Sequence, residues 1–187
     1  MPACPICNGS DFICADDGSK TRCTSCGADA RARMMAAVLL RTDVGLPLGP
    51  VVHFAPQPAL ERLMRRRFGG HYRPTGMADM IGGFAAESIY GFVHSHVLQQ
   101  VSEDPAGVIE RLNAALMPGG LQMFQMPLRS DGREIANLVL PKFQKWNRKR
   151  LLSPLGDAEA YEYALPGSAL SRNNASTVYV FVKPKRR

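Results

Sequence analysis

Three segments of the chain are apolar almost without interruption: residues 51–55 (VVHFA), 88–95 (SIYGFVHS) and 121–128 (LQMFQMPL). Runs of this length are typical of strands that are buried on both faces of a parallel sheet. The segment after the first run, PALERLMRRRF, has a helical period instead, with apolar residues on one face and arginines largely on the other. A strand followed directly by an amphipathic helix predicts the repeating unit of an α/β fold.

Helix and turn signals place the next elements. Asp104 and Pro105 predict the start of a helix that stops at Pro118-Gly119-Gly120, because aspartate is a preferred N-cap and proline suits the first helical position. The segment HYRPTGM predicts a second strand, although its Pro74 lacks the N–H that a central ladder requires. Glycine-punctuated ADMIGGFAAES predicts a loop, and HVLQQVS a short turn or helix.

The end of the chain contains one more strand. Residues 176–184 (STVYVFVKP) are apolar on both faces and are predicted to lie inside the sheet rather than at its edge. Residues 130–174 are basic and show little regular pattern. The alternation of strands and helices predicts a doubly wound, mainly parallel sheet.

The cysteines form two close pairs. Cys4 and Cys7 form CPIC, Cys23 and Cys26 form CTSC, and fifteen residues separate the pairs. Each pair places two sulfurs on one tight turn, so the two turns together predict a four-thiolate zinc site rather than unliganded thiols or the disulfides of a secreted protein. Four thiolates leave no open position for water, so the predicted zinc is structural.

This site divides the chain into a zinc ribbon, residues 1–30, and a main domain, residues 31–187. So short a ribbon cannot build its own core, and the metal replaces that core. Gly9 and Gly27 follow the knuckles, where a tight turn needs a residue free of Cβ strain. The helix-forming segment that comes next is predicted to lie buried between ribbon and main domain, and Cys14 to be a small buried apolar residue.

The formal charge of +7 is concentrated in three basic runs, at residues 65–67, 142–150 and 183–187. This balance favours an acidic partner such as nucleic acid, although basic runs are also common on solvated helix faces. No run approaches the roughly 18 uncharged apolar residues of a membrane span. The N-terminus lacks the basic and apolar regions of a signal peptide. A cytoplasmic protein with no membrane partner is therefore expected.

The order of these elements resembles a family of bacterial class I S-adenosylmethionine-dependent methyltransferases, which carry a zinc ribbon ahead of a Rossmann-like domain. The resemblance rests on the CxxC…CxxC ribbon, VVHFAPQPAL, FVHSHVLQQV and ERLNAALMPGGLQMFQMPL in that order. It implies an α/β, Rossmann-like class I methyltransferase fold, with S-adenosylmethionine as cofactor beside a structural Zn²⁺. The short span between the first strand and SIYGFVHS implies a compact sheet and leaves open the loss of a strand.

The resemblance also implies where the cofactor binds. Members of the family often replace the glycine-rich loop with a sequence like HFAPxP, whose small side chains still let the backbone approach the cofactor. The residues of this loop would line the methionine end, and Ser95 with His96 the opposite wall. His96, and less strongly His94, would be the general base if the acceptor needs deprotonation. The implied cofactor-binding residues are His53, Phe54, Ala55, Pro56, Asp79 and Ser95.

Several positions depart from the family pattern. Class I members usually carry an acid at the end of the second strand, where this chain has Thr75-Gly76-Met77, and Asp79 is the first carboxylate available. The family's strand aspartate corresponds to Tyr90, and its Glu-His pair to Gln99-Gln100. Losing one charge-assisted hydrogen bond costs about 1.5–3 kcal/mol, or roughly ten- to a hundredfold in affinity.

Two functions therefore compete. The first is methyl transfer, to a small-molecule or saccharide acceptor in preference to RNA. The second is a catalytically degenerate module that binds nucleic acid or protein through the ribbon and the basic segment FQKWNRKR. There an aromatic ring among cations would stack on a base while the charges meet phosphates, or the segment is a surface helix whose tryptophan packs into the core. The residues concerned are Lys142, Lys145, Trp146, Arg148, Lys149 and Arg150.

Overall fold

The fold is built around one six-stranded sheet and a small two-stranded hairpin. The computed structural model describes residues 3–14, 20–41, 47–101, 104–127, 130–144, 147–152 and 176–185. The strands are β1 (Phe12–Cys14), β2 (Lys20–Cys23), β3 (Val51–Phe54), β4 (Tyr72–Thr75), β5 (Ile89–Ser95), β6 (Leu116–Pro127), β7 (Asn147–Leu152) and β8 (Ser176–Val182). The helices are α1 (Ala30–Arg41), α2 (Pro58–Phe68), α3 (Pro105–Ala115) and α4 (Ser130–Val139).

The main sheet has the order β4-β3-β5-β6-β8-β7. The strands β4, β3, β5 and β6 are mutually parallel, whereas β8 is antiparallel to β6 and to β7. The predicted mainly parallel sheet and the interior position of the last strand are confirmed. Pro74 lies in β4, which is an edge strand among the described residues, so its missing N–H is tolerated there.

The connection from β4 to β5 is short, as the sequence predicts. Its regular element is a 3₁₀ turn, Ala78–Met80, and the fully described stretch between the two strands contains no α-helix and no further strand. A second 3₁₀ turn, Leu98–Gln100, follows β5. The compact Rossmann-like sheet is therefore confirmed, and the shortened part is the connection between β4 and β5.

Part of the segment 130–174 forms regular elements although its sequence shows little pattern. Helix α4 and a 3₁₀ turn, Leu140–Phe143, precede the edge strand β7. The surface helix considered for FQKWNRKR is wrong from Asn147 onward, because this part is strand β7. Edge strands tolerate charged residues, which hides them from a hydrophobicity pattern.

Each face of the main sheet is covered by its own apolar core. On one face α1 and α2 pack on the sheet in a cluster that also contains ribbon residues, Cys4, Ile6, Cys23 and Ala28. On the other face α3 and α4 cover an aromatic cluster that includes Phe54, Phe92, Phe124 and Phe181. The ribbon and the main domain thus share one continuous core, with the buried face of α1 between them as predicted. No helix in the described ranges combines the length and the apolar character needed to cross a bilayer.

Helix α3 begins where the sequence predicts. The Asp104 carboxylate accepts hydrogen bonds from the N–H groups of Ala106 and Gly107, both at 3.0 Å, and Pro105 occupies the first helical position. We expect Asp104→Ala to lower the free energy of unfolding by about 1 kcal/mol, because two N–H groups lose their acceptor. Urea unfolding measures this loss, and Asp104→Asn should retain most of the stability. Equal losses in both variants would contradict a capping role.

Candidate functional site

The four paired cysteines converge on one point. Their Sγ atoms all lie within 4.8 Å of one another, with Cys4 3.7 Å from Cys26 and Cys7 3.6 Å from Cys23. A tetrahedral zinc ion with Zn–S bonds of about 2.3 Å requires sulfur–sulfur distances of about 3.8 Å. The separations of these two pairs therefore match those of a four-thiolate zinc centre.

Left-handed residues shape both knuckles. In the second knuckle Gly27 has φ +74°, as expected, and its N–H donates to the Cys23 carbonyl at 2.8 Å. In the first, the left-handed residue is Asn8, with φ +62°, and not Gly9. Glycine is required at position 9 for space, because a Cβ there would lie 2.5 Å from the Ser25 hydroxyl oxygen.

A buried arginine lies beside the cluster. Arg33 is fully buried, and its guanidinium donates to the carbonyls of Ala28 at 2.9 Å and Thr21 at 3.3 Å. Burial lowers its pKa, whereas negative charge on Cys4 and on Asp29 raises it. Zinc with four thiolates carries a net charge of −2, which a buried cation compensates. Both the donor set and its surroundings fit zinc. Cys14 lies outside the cluster and is exposed, so its predicted burial is wrong.

The carboxyl ends of β3 and β5 carry a second unusual geometry. Ala55 follows β3 with φ +45°, and His96 follows β5 with φ +56°. The N–H of Ala55 donates to the Thr75 carbonyl at 2.9 Å, and that of His96 to the Gln125 carbonyl at 3.0 Å. A non-glycine residue in this conformation costs on the order of 1–3 kcal/mol and is found preferentially at functional sites. Because β3 and β5 are parallel neighbours, both residues lie at the same edge of the sheet.

The other predicted residues of this edge divide into two groups. Pro56 and Ser95 are half-buried beside it, and the Ser95 hydroxyl donates to Gln125 Oε1 at 2.8 Å. His53 and Phe54 belong to the two cores instead. His53 bonds the Tyr72 hydroxyl at 2.9 Å on the α1 side, and burial lowers its pKa to about 3.

The two candidate bases occupy different environments. His96 is half-buried at the strand end. His94 is fully buried, stacked on Phe124 with ring centroids 5.2 Å apart and packed edge-on against Phe54. Neither ring nitrogen of His94 finds a hydrogen-bond partner in the described part of the chain. Burial, and to a smaller extent the nearby His53, lower its pKa to about 3. The ring of His94 is therefore neutral and belongs to the core.

Asp79 lies just beyond the end of β4. Its exposed carboxylate accepts hydrogen bonds from the Thr75 hydroxyl and from the Gly76 N–H, the latter at 3.2 Å, so its orientation is fixed. Asp79 also borders an open cleft of about 570 Å³ beside β4. The cleft is lined by Pro50, Val52, Arg73, Pro74, Thr75, Asp79, Gly82, Gly83, Phe84 and Ile89.

The basic segment is only partly described. The Lys142 ammonium lies 2.5 Å from a Glu110 carboxylate oxygen, on the turn before β7. Arg148, Lys149 and Arg150 belong to β7. Lys145 and Trp146 fall outside the described residues, so the stacking of the tryptophan on a base stays a prediction.

Sequence reasoning overlooked two glutamines at this edge. Gln57 caps α2, and Gln125 links the Ser95 hydroxyl to the Met34 sulfur of α1, at 2.8 and 3.6 Å. Glutamine carries no distinctive motif and is not a preferred N-cap. Neither role is visible without the neighbours that the fold supplies.

No family model and no curated protein matches the chain, but solved structures share its fold. N-methyltransferase NodS from Bradyrhizobium japonicum, in complex with S-adenosylhomocysteine, aligns with a TM-score of 0.53 at 14% identity, covering 83% of this chain and 87% of that one. The [4+2]-cyclase SpnF aligns with 0.54 at 11%, covering 99% and 89%. Geranyl diphosphate C-methyltransferase from Streptomyces coelicolor A3(2) aligns with 0.52 at 10%, covering 80% and 76%. The chain therefore has a Rossmann-like methyltransferase fold.

Proposed function

We propose that the protein is an S-adenosylmethionine-dependent methyltransferase whose cofactor binds at the carboxyl edge of β3, β4 and β5, and that its ribbon holds a structural zinc. The observation that carries the first part is the pair of left-handed residues, Ala55 and His96, at the ends of adjacent parallel strands. Ligands of open α/β sheets bind outside the carboxyl ends of the strands. The fold alone is not sufficient, because a cyclase shares it.

Each residue at this edge then has a distinct task. Ala55 carries only a methyl group and is exposed, so its backbone leaves space for the methionine end of the cofactor. The Asp79 carboxylate is held by hydrogen bonds from Thr75 and Gly76, and it would accept hydrogen bonds from the ribose hydroxyls of the cofactor. Ser95 and Pro56 form the sides of the site.

The chemistry requires little covalent participation by the protein. The cofactor, when bound, supplies a methyl group on a positively charged sulfur. The chain's contribution is to align the acceptor with that methyl group and to exclude water. His96 lies at the edge and would accept a proton at a ring nitrogen where the acceptor carries one. His94 is a weaker candidate because its ring lies within the aromatic core.

A small-molecule or saccharide acceptor is proposed in preference to RNA. One protein with this fold is a geranyl diphosphate C-methyltransferase in complex with geranyl diphosphate, which supports a small-molecule acceptor. The one basic-segment cation whose side chain is described, Lys142, forms an ion pair with Glu110. No described contact favours nucleic acid over this proposal.

Calorimetric titration of the zinc-loaded protein with S-adenosylhomocysteine tests the proposal. We expect binding in the micromolar range, retained in Ala55→Gly and weakened on the order of 100-fold or more in Ala55→Leu, since about 2.7 kcal/mol of steric repulsion suffices for that change. Asp79→Asn should weaken binding by roughly ten- to a hundredfold.

Thermal unfolding of each variant shows whether the fold is retained. Absence of heat and of thermal stabilisation at millimolar ligand in the wild-type protein would overturn the proposal. If Ala55→Leu and Ala55→Gly bind S-adenosylhomocysteine with equal affinity, the cofactor does not bind at this edge.

A further inference from the structure

We propose that the ribbon holds the cofactor loop in place, and that Gln57 is the positioning residue that links the second zinc knuckle to that loop. The proposal rests on the function proposed above for the loop, Ala55 and Pro56, which Gln57 follows directly in the chain. In this proposal the ribbon supports the cofactor loop of the main domain. It is therefore more than a substrate-recognition module attached to an independent domain.

One side chain makes both connections. Gln57 Oε1 accepts hydrogen bonds from the N–H groups of Ala59 at 2.9 Å and Leu60 at 3.2 Å, which caps α2. Its Nε2 donates to the Gly27 carbonyl at 3.1 Å. Gly27 is the left-handed residue that follows Cys26, so this bond ends on the knuckle itself.

A comparison with α3 indicates that capping alone does not require glutamine. Both helices begin with proline after a cap that accepts from two N–H groups, and in α3 the shorter Asp104 performs this task. Glutamine is not among the preferred N-caps, whereas aspartate is. The extra length and the amide nitrogen of Gln57 serve the bond to Gly27.

Two arginines of α2 strengthen the same junction. Arg62 Nη2 donates to the Cys26 carbonyl at 2.9 Å, and Arg66 Nη2 donates to the Ile6 carbonyl at 3.3 Å. The two residues lie one helical turn apart and reach one carbonyl in each knuckle. Hydrogen bonds therefore connect both zinc knuckles to α2, the helix that follows the cofactor loop.

On the side of α2, the hydrogen bonds of Gln57 hold the residue that follows the loop. Ala55 is exposed and adopts a strained conformation, which is held on the opposite side by its hydrogen bond to Thr75. A shift of the knuckle would therefore move Gln57 and release the strain at Ala55. Because linkage is reciprocal, a cofactor that orders the loop would raise the affinity for zinc by the same factor by which zinc raises the affinity for the cofactor.

The test compares Gln57→Ser with the matched control Asp104→Ser. Serine retains an oxygen that caps a helix, but at position 57 it is too short to reach Gly27. The first readout is the rate of zinc transfer from the full-length protein to a chromophoric chelator. We expect Gln57→Ser to accelerate transfer about fivefold, the effect of one hydrogen bond, and Asp104→Ser to leave the rate unchanged.

The second readout is affinity for S-adenosylhomocysteine, which should fall about fivefold in Gln57→Ser and stay constant in Asp104→Ser. Equal zinc transfer in wild type and Gln57→Ser would overturn the coupling, whatever the cofactor does. Accelerated zinc transfer with unchanged affinity would also overturn it as a device for the cofactor loop. If the wild-type protein binds no cofactor, the proposed function fails, while the zinc readout still decides whether Gln57 holds the knuckle.

Discussion

Replacing Cys23 with serine is expected to abolish stoichiometric zinc binding and to lower the melting temperature by about 10 °C or more. We expect that the ribbon does not fold without zinc, because its few apolar residues do not form a core of their own. Cys4, Ile6 and Ala28 are buried together with Met34 and Met35 of α1, so loss of the ribbon uncovers the main core as well. A decrease of this size corresponds to roughly 4 kcal/mol for a chain of this length.

Cys14→Ser is the matched control for this experiment. Cys14 is exposed and lies outside the cluster, so its replacement should change neither the zinc content nor the melting temperature. Zinc content is measured by elemental analysis, and unfolding by calorimetry with and without a chelator. Full stability of the chelated wild-type protein would show that the ribbon core forms without metal and would contradict the prediction.

The four-cysteine cluster and the interior strands could be predicted because both leave local signals. Two CxxC pairs specify a site through spacing alone, and a strand buried on both faces, such as β5, forms a continuous apolar run. The edge strand β7 left no such signal, since NRKRLL contains mainly polar and charged residues. A pattern of hydrophobicity therefore identifies interior elements better than edges.

The candidate cofactor site was predictable only in part. The location of the site at the carboxyl ends of β3 and β5 can be predicted from the strand ends and the topology. The left-handed conformation of Ala55 cannot, because alanine is not a residue type that favours it. Strand alternation alone would place His94 and His96 on the same face. Their environments differ because β5 ends at Ser95 and His96 adopts a left-handed conformation, which the sequence does not reveal. The role of Gln57 depends on a carbonyl thirty residues earlier in the chain, which no local pattern reveals.

The buried histidines make the protein sensitive to acid. His53 and His94 are neutral in the folded state, with pKa values lowered by burial to about 3 from 6.5. In the unfolded chain both would bind protons near pH 6.5, so the unfolded state binds more protons between pH 6.5 and 3. Stability is therefore fully present above pH 6.5 and is lost as the pH falls through this window, by about 1.4 kcal/mol per pH unit for each ring.

Replacing His94 with phenylalanine should remove the His94 share of this loss. A phenyl ring can stack on Phe124 as the imidazole does, and it has no buried nitrogens without partners. Removing them contributes about 1–3 kcal/mol of stability at pH 7. Between pH 6.5 and pH 5, the difference in free energy of unfolding between variant and wild type should grow by about 2 kcal/mol. The reason is that unfolding of the wild type exposes two histidines that bind protons, whereas unfolding of the variant exposes one fewer.

Urea unfolding of both proteins from pH 7 to pH 5 measures this difference. His53, the carboxylates and the cysteines are common to wild type and variant, so their protonation cancels when the two curves are subtracted. A packing penalty for the larger ring would shift the difference by a constant and leave its pH dependence intact. Parallel curves would contradict the prediction and show that the pKa of His94 is not lowered in the folded protein, which would restore His94 as a candidate for catalysis.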